Sequence, residues 1–131
     1  MIYNTIKTDQ EIIDKISTID DTLSELTVTK TGGVTPHESV GTIYTNWFYK
    51  HGKIGQTQFT FVAKEDIPVD EPIFILPEEC RPKNQCAIPI VVVNTDNVME
   101  GQLDIYGNMM CPHRALEALS TYAIGATFIC N

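Results

Sequence analysis

The period of the apolar residues changes at Gly32-Gly33, and that change constrains the fold of this chain more than any other feature. Ahead of it, Ile12, Ile16, Ile19, Leu23 and Leu26 follow one another at spacings of 4, 3, 4 and 3. This keeps a single apolar stripe at a period of 3.5, the seam of a coiled coil. Thr8-Asp9-Gln10-Glu11 has the form of a capping box, in which hydroxyl and carboxylate satisfy free N–H groups at a helix start. Isoleucine at both kinds of core position favours three strands over two. A helix of about 18 residues is marginal alone, so it must lean on a partner that also oligomerises. The competing arrangement is an amphipathic helix packed on its own domain. The narrow stripe and the Gly-Gly break favour the coiled coil, although Ile13 widens the apolar face.

After the break the residues turn β-branched and aromatic. Residues 40–50 are rich in Thr, Tyr, Trp and Phe, and 56–62 alternate polar and aromatic side chains as a half-buried strand does. His51-Gly-Lys-Ile-Gly55 supplies a turn between them. Residues 72–76, 87–93, 102–106 and 122–130 have strand length, Tyr106-Gly-Asn-Met109 signals a hairpin, and residues 112–119 form a candidate helical turn. Pro89 interrupts its apolar run and indicates an edge strand or a bulge. The expectation is mainly β: a short trimeric coiled-coil helix, then an antiparallel β-sandwich head. The boundaries are 1–31 for an attachment segment and neck, and 32–131 for the head.

Charge narrows the function. With 17 acidic and 9 basic residues the chain lacks the cations that neutralise phosphates, so nucleic acid is not an expected partner. No run approaches the about 20 apolar residues of a membrane span, and Met1 to Lys7 lacks the pattern of a signal peptide, so synthesis in the cytoplasm without membrane insertion is expected. Cys80, Cys86, Cys111 and Cys130 are too few and too irregular for a disulfide scaffold, and the gap from Cys80 to Cys86 does not fit a zinc knuckle.

Catalytic constellations are sparse. There is no Gly-rich phosphate loop, no nucleophile elbow and no zincin motif. Cys111 and His113 form a conceivable nucleophile pair, but a cysteine in such a chain is far more often a small buried hydrophobe. The adjacent acid pairs Glu65-Asp66, Asp70-Glu71 and Glu78-Glu79 read as solvated loops, and Asp96, Asn97 and Glu100 lack the spacing of an EF-hand. Neither cofactor nor metal is expected. The cluster Tyr44, Trp47, Phe48, Tyr49 is different in kind. Alternation puts Trp47 and Tyr49 on one face of a strand and Tyr44 and Phe48 on the other. One face is then core, and the other is either a platform for carbohydrate or protein, or a subunit interface.

The order of segments carries a resemblance. Tyr49-Lys-His-Gly-Lys53, the strand Phe59-Thr-Phe-Val62, Ile75-Leu-Pro-Glu-Glu-Cys-Arg-Pro-Lys-Asn84, Gly101-Gln-Leu-Asp-Ile-Tyr-Gly-Asn108 and Ser120-Thr-Tyr122 together resemble the C-terminal head domain of bacteriophage tail-fibre and baseplate receptor-binding proteins. Cys80 stands where that family usually has an aromatic, and the hairpin reads Tyr106-Gly-Asn108 rather than Asn-Gly. The resemblance covers about the last 90 residues. It implies a homotrimeric, non-enzymatic virion fibre protein of tail, baseplate or capsid, binding a host surface molecule such as a saccharide. Trp47, Tyr49, Tyr106, Asn108 and Arg114 are the candidate receptor contacts, and the apolar Ile2, Tyr3 and Ile6 are candidates for docking to other virion proteins. The alternatives are a purely structural decoration protein and a small thiol enzyme.

Overall fold

In a computed structural model of the chain, the structure describes Ile13, Lys15 and residues 29–131, the side chains of Thr29 and Lys30 excepted. The proposed seam of Ile12, Ile16, Ile19, Leu23 and Leu26, and the docking residues Ile2, Tyr3 and Ile6, lie outside the described residues.

The strands are β1 (Thr29–Gly32), β2 (Thr35–Pro36), β3 (Val40–His51), β4 (Ile54–Ala63), β5 (Phe74–Ile75), β6 (Cys86–Val92), β7 (Val98–Leu103), β8 (Asn108–Met110) and β9 (Thr121–Ile129). They form one nine-stranded sheet in the order β1-β3-β4-β9-β6-β7-β8-β5-β2, with every pairing antiparallel. The mainly β antiparallel expectation holds, but the two-sheet sandwich does not. The ladders β4–β9 and β9–β6 run continuously through the middle, so there is no break at which a second sheet could separate. Instead the sheet curls into a half-barrel. Two register shifts in β3, between Val40 and Ile43 and between Ile43 and Thr45, insert residues that bend and twist that strand. Tyr44 sits in the second of these and is largely exposed.

The curl is completed by the segment that follows the sequence break. β1 and β2 are the two ends of the sheet order, yet only Gly33 and Val34 separate them. Residues 29–36 therefore pair first with β3 on one edge and then with β5 on the other. Asn46 makes the hand-over. Its side-chain oxygen accepts the Val34 N–H at 2.7 Å and its amide donates to the Val34 carbonyl at 3.3 Å. A side-chain amide thus replaces the backbone ladder just where the segment peels away from β3, and no backbone group of Val34 is left unpaired.

Inside the curl, β4 alternates strictly, with Gly55, Thr57, Phe59, Phe61 and Ala63 inward. Phe59 stacks with Phe61 at 5.0 Å and meets Phe74 of β5 edge-on at 5.2 Å, while Phe61 lies 5.7 Å from Tyr122 of β9. β4 and β5 are not neighbours in the sheet, so the Phe59–Phe74 contact spans the interior. Each such phenylalanine contributes about 1.5–3 kcal/mol through burial. Gly101 of β7 is fitted into the same core: a Cβ there would lie 2.8 Å from the Ile88 carbonyl oxygen and press on Met109 and Ile90. Gly101→Ala should lower the unfolding free energy by about 1–3 kcal/mol, read from urea denaturation, because backbone on one side cannot give way.

Other local expectations need correction. Residues 112–119 contain no helix; they form a loop joined to the β4–β5 connection by the bridge Ile67–Leu116. The expected strand at 102–106 is shifted back to β7, since the Asp104 carboxylate accepts the N–H groups of Tyr106 and Asn108, each at 2.9 Å, and folds 104–107 into the turn. Gly107 completes that turn at φ +82°, against Leu76. Pro89 lies in β6, an interior strand, but the β9 ladder beside it covers only Ile90 to Val92, so the proline sits beyond the end of that ladder.

Candidate functional site

The outward face of β3, β4 and β9 is built from the same alternation that fills the core. Trp47 stands opposite Gln58, which stands opposite Gly125, and Tyr49 stands opposite Gln56, which stands opposite Thr127. Trp47 and Tyr49 stack with centroids 4.7 Å apart, and His51 continues the row at 6.0 Å. The Gln56 amide reaches the Thr127 hydroxyl at 3.5 Å, and the Gln58 amide reaches Thr60 at 3.4 Å. Gly125 is exposed, and a Cβ there would come within 3.0 Å of the Gln58 side-chain oxygen. The result is a stepped face: an aromatic ridge on β3, an amide shelf on β4, and bare backbone beyond it where Gly125 has no side chain. No Lys, Arg, Asp or Glu stands at the outward positions Thr45, Trp47, Tyr49, Gln56, Gln58, Thr60, Thr121, Ala123, Gly125 and Thr127. Rings and amides with both donors and acceptors suit a ligand that presents C–H faces and hydroxyl groups.

The other sequence candidates are not gathered here. Tyr106, 63% exposed, sits on the β7–β8 turn, and Asn108 is held there by its amide on the Asp104 carboxylate at 3.2 Å. By register this turn lies at the same end of the sheet as His51 and Ile129, the end where Thr29 begins β1. Arg114 is exposed in the loop between β8 and β9, at the opposite end. That end is tied together by the loops after β2, β4 and β8. His37 Nε2 meets the Glu71 carboxylate at 2.8 Å while its Nδ1 accepts the Ser39 N–H at 3.0 Å, and Asp66 accepts the Ala118 N–H at 2.7 Å. Those acids looked like bare solvated charges because a cap made across 52 residues leaves no local pattern. The contribution of Gln56, Gln58 and Gly125 was missed for a related reason: strand alternation marks them as outward, but only the β4–β9 register brings them beside Trp47.

Chemistry at sulfur is poorly placed. Cys111 is 3% exposed, with its thiol directed at the Glu100 carbonyl, whereas His113 turns to the Glu100 carboxylate at 3.9 Å. Cys80 and Cys130 face each other at 4.0 Å between sulfurs, both buried. Burial, and secondarily the neighbouring Cys130, push the Cys80 thiol from 9.0 up to about 12. The native state favours the protonated thiol, so this contribution to stability is complete below about pH 9 and is lost as pH rises toward about 12. A Cys80→Ala variant should therefore lose less stability than the parent between those limits in denaturation series run at each pH. Among the described residues no cluster of His, Cys, Asp and Glu is arranged to hold a metal ion, and no helix is long and apolar enough to cross a membrane.

No protein-family model matches the sequence, and no curated protein sequence matches it. The fold does have a solved counterpart. The chain is similar to the crystal structure of the receptor binding protein (gp15) of Listeria phage PSA, with a TM-score of 0.60 and 8% sequence identity, over 95% of this chain and 78% of that one. At that identity the likeness is one of fold.

Proposed function

We propose that this chain is a non-enzymatic fibre protein of a bacteriophage virion and that its head attaches to a saccharide on the host surface through the outer face of β3, β4 and β9. The observation that carries the reading is the face on which Trp47 and Tyr49, in contact at 4.7 Å, stand beside Gln58 and Gln56 with Gly125 open beyond them. Its fold, shared with a phage receptor binding protein, supports the same reading, as do the segments from Tyr49 to Tyr122 that resemble the heads of such proteins.

In this reading the residues ahead of Thr29 form the trimeric neck, three residues shorter than the expected 1–31 because Thr29, Lys30 and Thr31 belong to β1 of the head, and Ile2, Tyr3 and Ile6 seat the neck on other virion proteins. Thr29 enters the sheet at the end that carries Tyr106 and Asn108, so these two face the virion, while Arg114 at the opposite end is offered to the host as a second point of approach.

Adding bulk at Gly125 tests the proposal. Gly125→Val places a β-branched side chain at an exposed strand position and displaces the Gln58 amide. Fluorescently labelled Gly125→Val protein should lose most of its adsorption to phage-sensitive cells at unchanged thermal stability. Undiminished adsorption would exclude this face as the contact.

A further inference from the structure

The absence of charge on this face says what kind of ligand it takes. We infer that this face binds an uncharged saccharide and discriminates against acidic or phosphate-bearing polymers; the inference rests on the reading of it as the receptor contact.

The chain carries a formal charge of −8, and the outward positions of β3, β4 and β9 from Thr45 to Tyr49, Gln56 to Thr60 and Thr121 to Thr127 hold no Lys, Arg, Asp or Glu, with the imidazole of His51 at the end of the aromatic row. Lys50 alternates to the inner side of β3, where its charge acts on Cys80, and Lys53 lies in the turn beyond His51. A phosphate or carboxylate seated beside Trp47 would therefore lose hydration without gaining a counter-charge, and would do so within the field of a net anionic protein. A cationic ligand meets the same deficit, since no acid on the face replaces its water. Neutral hydroxyl groups avoid both costs. Gln56 and Gln58 each supply a carbonyl acceptor and two N–H donors, and the Thr127 hydroxyl does both, which matches sugar hydroxyls that are themselves donor and acceptor. The Trp47–Tyr49 pair, its rings tilted by 35° to each other, supplies aromatic surface for the C–H face of a pyranose ring. A sheet face without Lys, Arg, Asp or Glu also suits contact between like-charged copies of this chain, and the experiment separates that occupant from a glycan.

The full chain is applied to an array of neutral hexose and N-acetylhexosamine oligosaccharides printed beside uronic-acid, sialylated and phosphorylated ones. Expected is binding confined to neutral glycans, constant within about twofold from about 50 mM to about 0.5 M NaCl. Gln58→Leu, which keeps the bulk and removes both hydrogen-bonding atoms, should weaken it about tenfold. Binding confined to acidic or phosphorylated glycans, or a steep fall with salt, overturns the inference while leaving the receptor reading intact. Silence of both glycan sets with retained binding to phage-sensitive cells does the same. A Trp47→Ala chain that changes its mass in solution and binds cells as before assigns the face to contacts between copies. Failure of the parent chain to bind any cell overturns the receptor reading itself.

Discussion

Phe59→Ala is expected to lower the unfolding free energy by about 3–5 kcal/mol, a large share of the about 5–15 kcal/mol that holds a domain of this size folded. Phe59 is 0% exposed, stands between Asn46 on β3 and Ile124 on β9, and touches both Phe61 and Phe74. Its removal opens a cavity that the sheet can close only by changing its curl, because Phe74 approaches from a strand that β4 does not pair with. Guanidinium denaturation at constant pH measures the loss. A cost under about 1 kcal/mol would show a surface-like site and would contradict an interior closed between β4 and β5.

Trp47→Ala carries the largest expected effect on binding. An aromatic anchor at the centre of a contact is worth about 2 kcal/mol or more, which is about 30-fold in affinity. The side chain is half-buried on the outer face and packs on Tyr49 rather than in the core, so the loss of stability should be about 1 kcal/mol and leave the chain folded. Adsorption to sensitive cells, measured beside Tyr106→Ala, gives the contrast. The first variant should lose binding and the second should keep it, since Tyr106 lies at the end where Thr29 enters. Equal losses in the two would place the contact elsewhere.

Much of the architecture was legible in the residues. The alternation of 56–62 set the inward row of β4, and the segment from Ile75 to Val93 reads as it folds: β5 ends at Ile75, Glu78–Cys80 form a single 3-10 turn, Pro82 is buried beside Cys130, and β6 begins at Cys86. The curl was not legible. A sandwich and a rolled sheet demand the same alternation from each strand and differ in which edges meet. Here that depends on Asn46 holding Val34 and on two extra residues in β3, neither of which leaves a periodic mark. The site was half legible for the same reason. Trp47 and Tyr49 announce a shared face by their spacing of two, whereas Gln58 and Gly125 join it through pairing across strands far apart in sequence.

Trp47 is the chain's one tryptophan, so the residue on which the proposed contact rests also reports on it. The decisive measurement is a fluorescence titration of the full chain with neutral polysaccharide released from the walls of phage-sensitive cells. The expected result is a saturable change in tryptophan emission that tracks binding measured independently by calorimetry and disappears in Gly125→Val. Saturable binding by calorimetry with the emission of Trp47 unchanged would contradict the assignment of the receptor contact to this face.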